Sequence, residues 1–344
     1  MIDFSFFFNT LVLHHSTSRF DQRPGTRRGG PPALARGTFW HILVNRIRLS
    51  IGLLWIVSCV ILLNGLPCAR ASGDTTSEER IKVFVSILPQ AYFAERIGGE
   101  RVNISVMVGP GQSPATYEPR PKQMAELSQA KLYFRIGVPF ESVWIKRISE
   151  ANPVMRVIDT RRGIRLLPMQ AHDHLNTPAD GAAVEDPHIW LSPRLVKIQA
   201  ENIADALTAA DPAHAAYYKD NLKALQNDLD KLDQEIVRML SHLKTRKFMV
   251  FHPAWGYFAH DYGLEQRAIE VEGKEPSAKS LAHLIEEAKH EDIKVIFVQK
   301  QFSKESAEAV ARSIGGRVVR VDPLARDYLD NMKEIAGAFA EVLQ

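Results

Sequence analysis

Two histidines and one aspartate stand where this chain can do chemistry. His188 lies in Asp186-Pro-His-Ile-Trp-Leu-Ser-Pro193, after a polar stretch and before a helix opened by Ser192-Pro193. His252 follows the strand-like run Phe248-Met-Val-Phe251, and Asp322 follows Val318-Val-Arg-Val321. In open α/β sheets ligands bind in the crevice beyond the carboxyl ends of the strands, so residues at such ends can meet in one cleft. Two imidazoles and a carboxylate suit Zn²⁺ or another divalent first-row ion, and imidazole disfavours a hard Ca²⁺ or Mg²⁺ site. Singly, each residue has a plainer reading: a His after a strand is often a hydrogen-bonded structural residue, and an Asp-Pro pair often a helix cap. Their joint placement at corresponding element ends is what points to a metal.

The elements that must hold these residues follow from periodicity. Ile81–Leu88, Val102–Val108, Leu132–Ile136 and Val154–Asp159 read as strands, with helices over 90–97 and 122–129 between the earlier ones. A helix over 193–210 is capped by Ser192. Asp211-Pro212 then reads as the cap of a helix running to about Leu243. Its apolar positions Tyr218, Leu222, Leu225, Leu229, Leu232, Ile236, Leu240 and Leu243 recur every three or four residues. A second α/β series comes after it: strands at 248–251, 268–270, 295–298 and 318–321, and helices at 253–262, 280–290, 304–314 and 328–343. The fold class expected is therefore α/β, two lobes each with a central mostly parallel sheet flanked by helices, joined by one long backbone helix. The expected bounds are an N-terminal lobe over 80–210, the linking helix over 211–245 and a C-terminal lobe over 246–344.

Composition narrows the function classes. The 344 residues carry a formal net charge of +3. Residues 1–71 hold eight of the 43 Lys and Arg but only two of the 40 Asp and Glu, so the remainder is net acidic at −3. The basic excess thus gives no support to nucleic-acid binding. Arg46 and Arg48, the uncharged apolar run 49–67 and Ala69-Arg70-Ala71 together read as a secretory signal cleaved after Ala71; the alternative is an uncleaved membrane anchor. Residues 1–45 precede that signal as an odd leader, which an upstream start codon would explain. Cys59 and Cys68 both fall in this segment, which leaves the exported chain with neither thiolate ligands nor a Cys nucleophile.

Five segments carry a resemblance: Gly111-Gln-Ser-Pro-Ala-Thr-Tyr-Glu-Pro-Arg-Pro121, Asp186 to Pro193, Phe251-His-Pro-Ala-Trp-Gly-Tyr-Phe258, Glu275-Pro-Ser277, and Asp322-Pro-Leu324 with Tyr328-Leu-Asp-Asn-Met332. In this order they resemble the metal-binding solute receptors of bacterial zinc/manganese ABC importers. The resemblance implies a periplasmic or otherwise extracytoplasmic receptor with metal held between two lobes, and a membrane ABC permease as partner of a monomer. It also implies that His188, His252 and Asp322 are three of four ligands. The fourth family position, usually His, is Ala115 here, and an alanine cannot ligate. Gln112, Glu118, His172, His174 or water are the candidates to replace it; Tyr117 and Glu118 have the simpler reading of fixing their loop. A His at 252 and the His172-Asp-His174 loop favour zinc over manganese. Two other readings share the site: a zinc-dependent hydrolase with an open water position, and a receptor for an organic metal chelate. No His-x-x-x-His or Gly-x-Ser-x-Gly signature supports the hydrolase.

Overall fold

The computed structural model describes residues 80–169, 184–270, 277–302 and 304–344. The leader and signal segment, the His172/His174 loop and Glu275 lie outside the described residues. From β-branched and aromatic runs come four parallel strands, β1 (Ile81–Ile87), β2 (Val102–Val108), β3 (Leu132–Arg135) and β4 (Arg156–Asp159), ordered β2-β1-β3-β4. They are joined by α1 (Leu88–Gly98), α2 (Pro121–Leu127) and α3 (Pro139–Ala151). Proline opens each of these helices, its fixed φ suiting the first turn and its missing N–H costing nothing there. The second sheet repeats the plan with β5 (Lys247–Val250), β6 (Glu265–Ala268), β7 (Val295–Gln299) and β8 (Arg317–Val321), ordered β6-β5-β7-β8 and again wholly parallel.

Between the sheets run α4 (Pro193–Ala210) and the long α5 (Ala215–Met239). The remaining helices are α6 (Gly256–Tyr262), α7 (Ala278–His290), α8 (Lys304–Ser313) and the closing α9 (Tyr328–Leu343). The apolar stripe of α5 is buried at Tyr218, Leu225, Leu229, Leu232 and Ile236, packing between α1 and α4 on one side and α9 on the other. One continuous core accordingly runs from the first sheet through α5 into the inner face of the second, and a smaller core fills the space under α7 and α8. Phe93 of α1 meets Tyr328 of α9 edge-on, with ring centroids 4.9 Å apart, so aromatic packing also crosses between the lobes.

Three expectations needed correction. Helix α3 was not foreseen; it buries only Phe140, Glu141 and Ile148, and Val143 stays exposed, so its apolar stripe is too thin to register. Strand β6 lies at 265–268 rather than 268–270. Its alternation is Gln266 and Ala268 inward, Glu265 and Arg267 outward, which the apolar pair Ala268-Ile269 masks. Asp211 does not cap a helix backbone. A short 3₁₀ turn over Pro212–His214 intervenes, and the Asp211 carboxylate instead accepts from the Tyr218 hydroxyl at 2.7 Å and engages the His214 ring at 2.8 Å.

Candidate metal centre

In each parallel sheet the strand order, not the strand direction, reverses between two central strands, β1/β3 in the first and β5/β7 in the second, which is where the crevice of an open α/β sheet opens. The loops from these ends form a cleft of about 310 Å³ between the lobes. Ala115, His188 and Trp190 line it from the first lobe, and His252, Gln299 and Phe302 from the second.

His188 is reached by a tight sequence of contacts. Residues 189–191 make one 3₁₀ turn, which buries Trp190, and the Trp190 indole N–H donates to the Pro323 carbonyl of the other lobe at 2.8 Å. The Asp186 carboxylate, itself buried, accepts from the His188 backbone N–H at 2.9 Å and lies 2.7 Å from His188 Nδ1. The loop is clamped further by Tyr257, whose hydroxyl donates to the Asp186 carbonyl and accepts from the Leu167 N–H, both at 2.9 Å. Burial pushes the Tyr257 phenol up to about 12, so it stays protonated in this clamp. Gly256 is required here: a Cβ at that position would stand 2.6 Å from Asp186 Oδ2.

His252 leaves the end of β5 and stacks on Phe302, with centroids 5.1 Å apart. Its Nδ1 lies 3.0 Å from a carboxylate oxygen of the buried Glu270. The register of the sheet explains this pair. Val250 faces Ala268 across β5 and β6, so the residues two further along each strand come out side by side.

A buried carboxylate beside Nδ1 favours the same tautomer at both rings. A carboxylate at Nδ1 holds the proton there, and Nε2 is left with its lone pair, the arrangement typical of metal-ligating His. Burial pushes the His188 imidazolium below its ordinary value against the opposing pull of Asp186, which keeps the ring in the neutral, ligating form. The two Nε2 atoms face one another at 3.3 Å. At that spacing a cation between the rings can take the lone pair of each. Zn–N bonds of about 2.0–2.1 Å in a tetrahedron put two ligand nitrogens about 3.3–3.4 Å apart. The donor set therefore fits Zn²⁺ in chemistry and in spacing.

Asp322 is not drawn into this pair. Its neighbours Pro323 and Leu324 line the cleft, but its own carboxylate forms an ion pair with Lys300 at 3.2 Å. It also accepts from Gln301 Nε2 at 3.3 Å and from the Leu324 N–H at 3.0 Å. Among the described residues no group of three or more His, Cys, Asp or Glu is assembled to hold a metal. Ala115 lines the cleft. Of its proposed substitutes, Gln112 turns its carbonyl oxygen to the Gly109 N–H at 2.9 Å, and Glu118 is exposed. His172 and His174 lie outside the described residues. Tyr117 fixes its loop by donating to Gln123 Oε1 at 2.5 Å and meeting Phe140 edge-on.

Two functional carboxylates were not singled out from the sequence. Asp186 carried a signal, since it stands two residues before His188 and its side chain can reach back to that residue. Glu270 carried none, because its partner is set by strand pairing.

The family model for the periplasmic component A of zinc-uptake complexes (ZnuA) matches residues 83–342. The high-affinity zinc uptake system protein ZnuA of Bacillus subtilis is 27% identical over 314 residues, covering 85% of this chain and 97% of that protein. A crystal structure of ZnuA is 46% identical, with a TM-score of 0.73 over 77% of this chain and 100% of the other. A 138–173 deletion mutant of ZnuA with zinc bound is 45% identical, with a TM-score of 0.72 over 77% of this chain and 99% of the other.

Proposed function

The chain belongs to the family of periplasmic A components of zinc-uptake complexes, and on that footing we propose that it captures Zn²⁺ on His188, His252 and Asp322. It is an extracytoplasmic solute receptor that delivers its metal to a membrane ABC permease; it is not an enzyme. Zinc is the cargo in preference to manganese, because a pair of imidazoles is softer than the oxygen-rich sites manganese takes. The observation that carries the site is the pair of Nε2 atoms 3.3 Å apart, each ring oriented by a buried carboxylate.

Capture proceeds by exchange of cations at Asp322. The Lys300 ammonium neutralises the Asp322 carboxylate, and Zn²⁺ arriving at the His pair would offer that carboxylate a stronger partner. Because His188 belongs to one lobe and His252 and Asp322 to the other, the bound ion ties the lobes together. Helix α5 packs against both lobes along its length, which favours a small tightening of the cleft over a wide hinge swing. The protein acts as a monomer, exported by the segment that ends at Ala71.

Titration calorimetry on metal-stripped protein tests this reading. Zn²⁺ is expected to bind one per chain with micromolar or tighter affinity, and His188→Ala together with His252→Ala to abolish that binding. Retention of tight zinc by the double variant would move the site elsewhere.

A further inference from the structure

We propose that Phe302 is a positioning residue for the metal: its ring face lies against the His252 imidazole and favours that ring in the positively polarised state it takes on when Nε2 binds a cation. The inference rests on the zinc-receptor reading above, which places the metal on His252.

The contact follows from the pairing of two strands. His252 comes two residues after β5 ends and Phe302 three residues after β7 ends, and Val250 of β5 pairs with Phe297 of β7. Both chains therefore leave the sheet at the same end. A turn then brings Phe302 back, its backbone N–H donating to the Gln299 carbonyl at 3.2 Å. Its ring packs on two consecutive aromatic residues, Phe251 at 5.5 Å between centroids and 48° between planes, and His252 at 5.1 Å and 23°. The nearly parallel contact is the one on the ligand ring. Trp190 stands differently to His188: their centroids are also 5.1 Å apart, but the planes are inclined by 55° and the indole N–H is committed to the Pro323 carbonyl.

An aromatic face carries the negative part of the ring quadrupole. It attracts positive charge within about 6 Å of the ring centre, more strongly where water is excluded. Neutral imidazole offers little such charge. Once its Nε2 lone pair is given to Zn²⁺, the ring carries more of it. The attraction is thus stronger with metal bound than without, and only such a difference can raise affinity. Glu270 acts in the same sense from the edge of the ring, its carboxylate lying 3.0 Å from Nδ1. Phe302 also fixes the plane of the imidazole, which keeps Nε2 directed at His188.

Fluorination of one ring tests this without changing its shape. Mono-, di- and trifluorinated phenylalanine introduced at position 302 withdraw electron density from the face step by step. Zinc affinity of the metal-stripped protein is measured at one fixed pH by competition with a chromophoric chelator. It is expected to fall with each fluorine, in total by about three- to thirtyfold. The same series at Phe297, which stacks on Phe339 in the core with centroids 4.1 Å apart, should leave zinc affinity unchanged. Phe302→Leu, which keeps an apolar side chain but no aromatic face, should weaken zinc by a comparable factor. Constant affinity along the series at 302, equal falls at 302 and 297, or wild-type affinity in Phe302→Leu would overturn the inference and leave the zinc receptor standing. A wild-type protein that binds no zinc would overturn the receptor reading and this inference with it.

Discussion

At the scale of residues, the proposed site depends on what lies behind its two histidines. His188 and His252 can accept a metal at Nε2 because Asp186 and Glu270 occupy Nδ1. Such partners commonly contribute about 10- to 100-fold in metal affinity. Glu270→Gln keeps the shape of the side chain but replaces a charged acceptor by a neutral one, and it should weaken zinc binding about tenfold in competition with a chromophoric chelator. Unchanged affinity would show that Glu270 serves packing alone. His252 and Asp322 stand out as candidates in the sequence because each follows a strand that periodicity can locate, and His188 because it precedes a capped helix. Glu270 was not, since only the alignment of β5 with β6 reveals that it stands beside His252. The engagement of Asp322 by Lys300 was hidden for a similar reason: it depends on how the loops after β7 and β8 pack together.

At the scale of elements, α5 was the clearest feature of the chain and remains the one that organises the molecule. Its stripe recurs over enough turns to be unambiguous, and both lobes bury against it. Leu229 is fully buried in that stripe. Leu229→Ala is expected to cost about 2–5 kcal/mol of stability, with zinc affinity unchanged while the protein remains folded. The shared core further predicts that wild type and variant both unfold in a single calorimetric transition; two separated transitions would mean that each lobe folds on its own. Helix α3 shows the opposite limit of sequence reading. Glu141 is one of its few buried residues, and it is buried because it accepts from the backbone N–H groups of Ile136 and Gly137, both at 2.8 Å, and from Ser86. A charged residue facing inward blurs the apolar pattern that would have announced the helix.

At the scale of the whole molecule, the basic excess lies in residues 1–71 and the remaining residues are net acidic, which gives no support to a polyanionic partner. Among the described residues no helix is long and apolar enough to cross a membrane. Stability on the acid side depends on carboxylates tied to arginines, of which Asp159 is one example. Burial alone would raise its pKa, but hydrogen bonds from Arg161 and the nearby Arg135 hold it below the ordinary carboxylate value. The unfolded chain therefore binds the Asp159 proton more readily than the folded one. This contribution is present above the ordinary value near pH 3.8 and is lost as pH falls through the lower folded value. Thermal melting at pH 5 and pH 3 should show a smaller acid loss for Asp159→Asn than for wild type, and an equal loss would remove Asp159 from the acid limb. The same residue lies in the network under Gly137, whose positive φ and close approach to the Arg161 guanidinium leave no room for a side chain. That network supports the loop after β3 that forms part of the cleft wall.

The most direct test is a crystal of the zinc-loaded protein measured at the zinc absorption edge. One anomalous peak is predicted between the lobes, about 2.0–2.1 Å from the Nε2 atoms of both His188 and His252. A peak that touches neither ring, or one bound through a single His on the surface, would contradict the site.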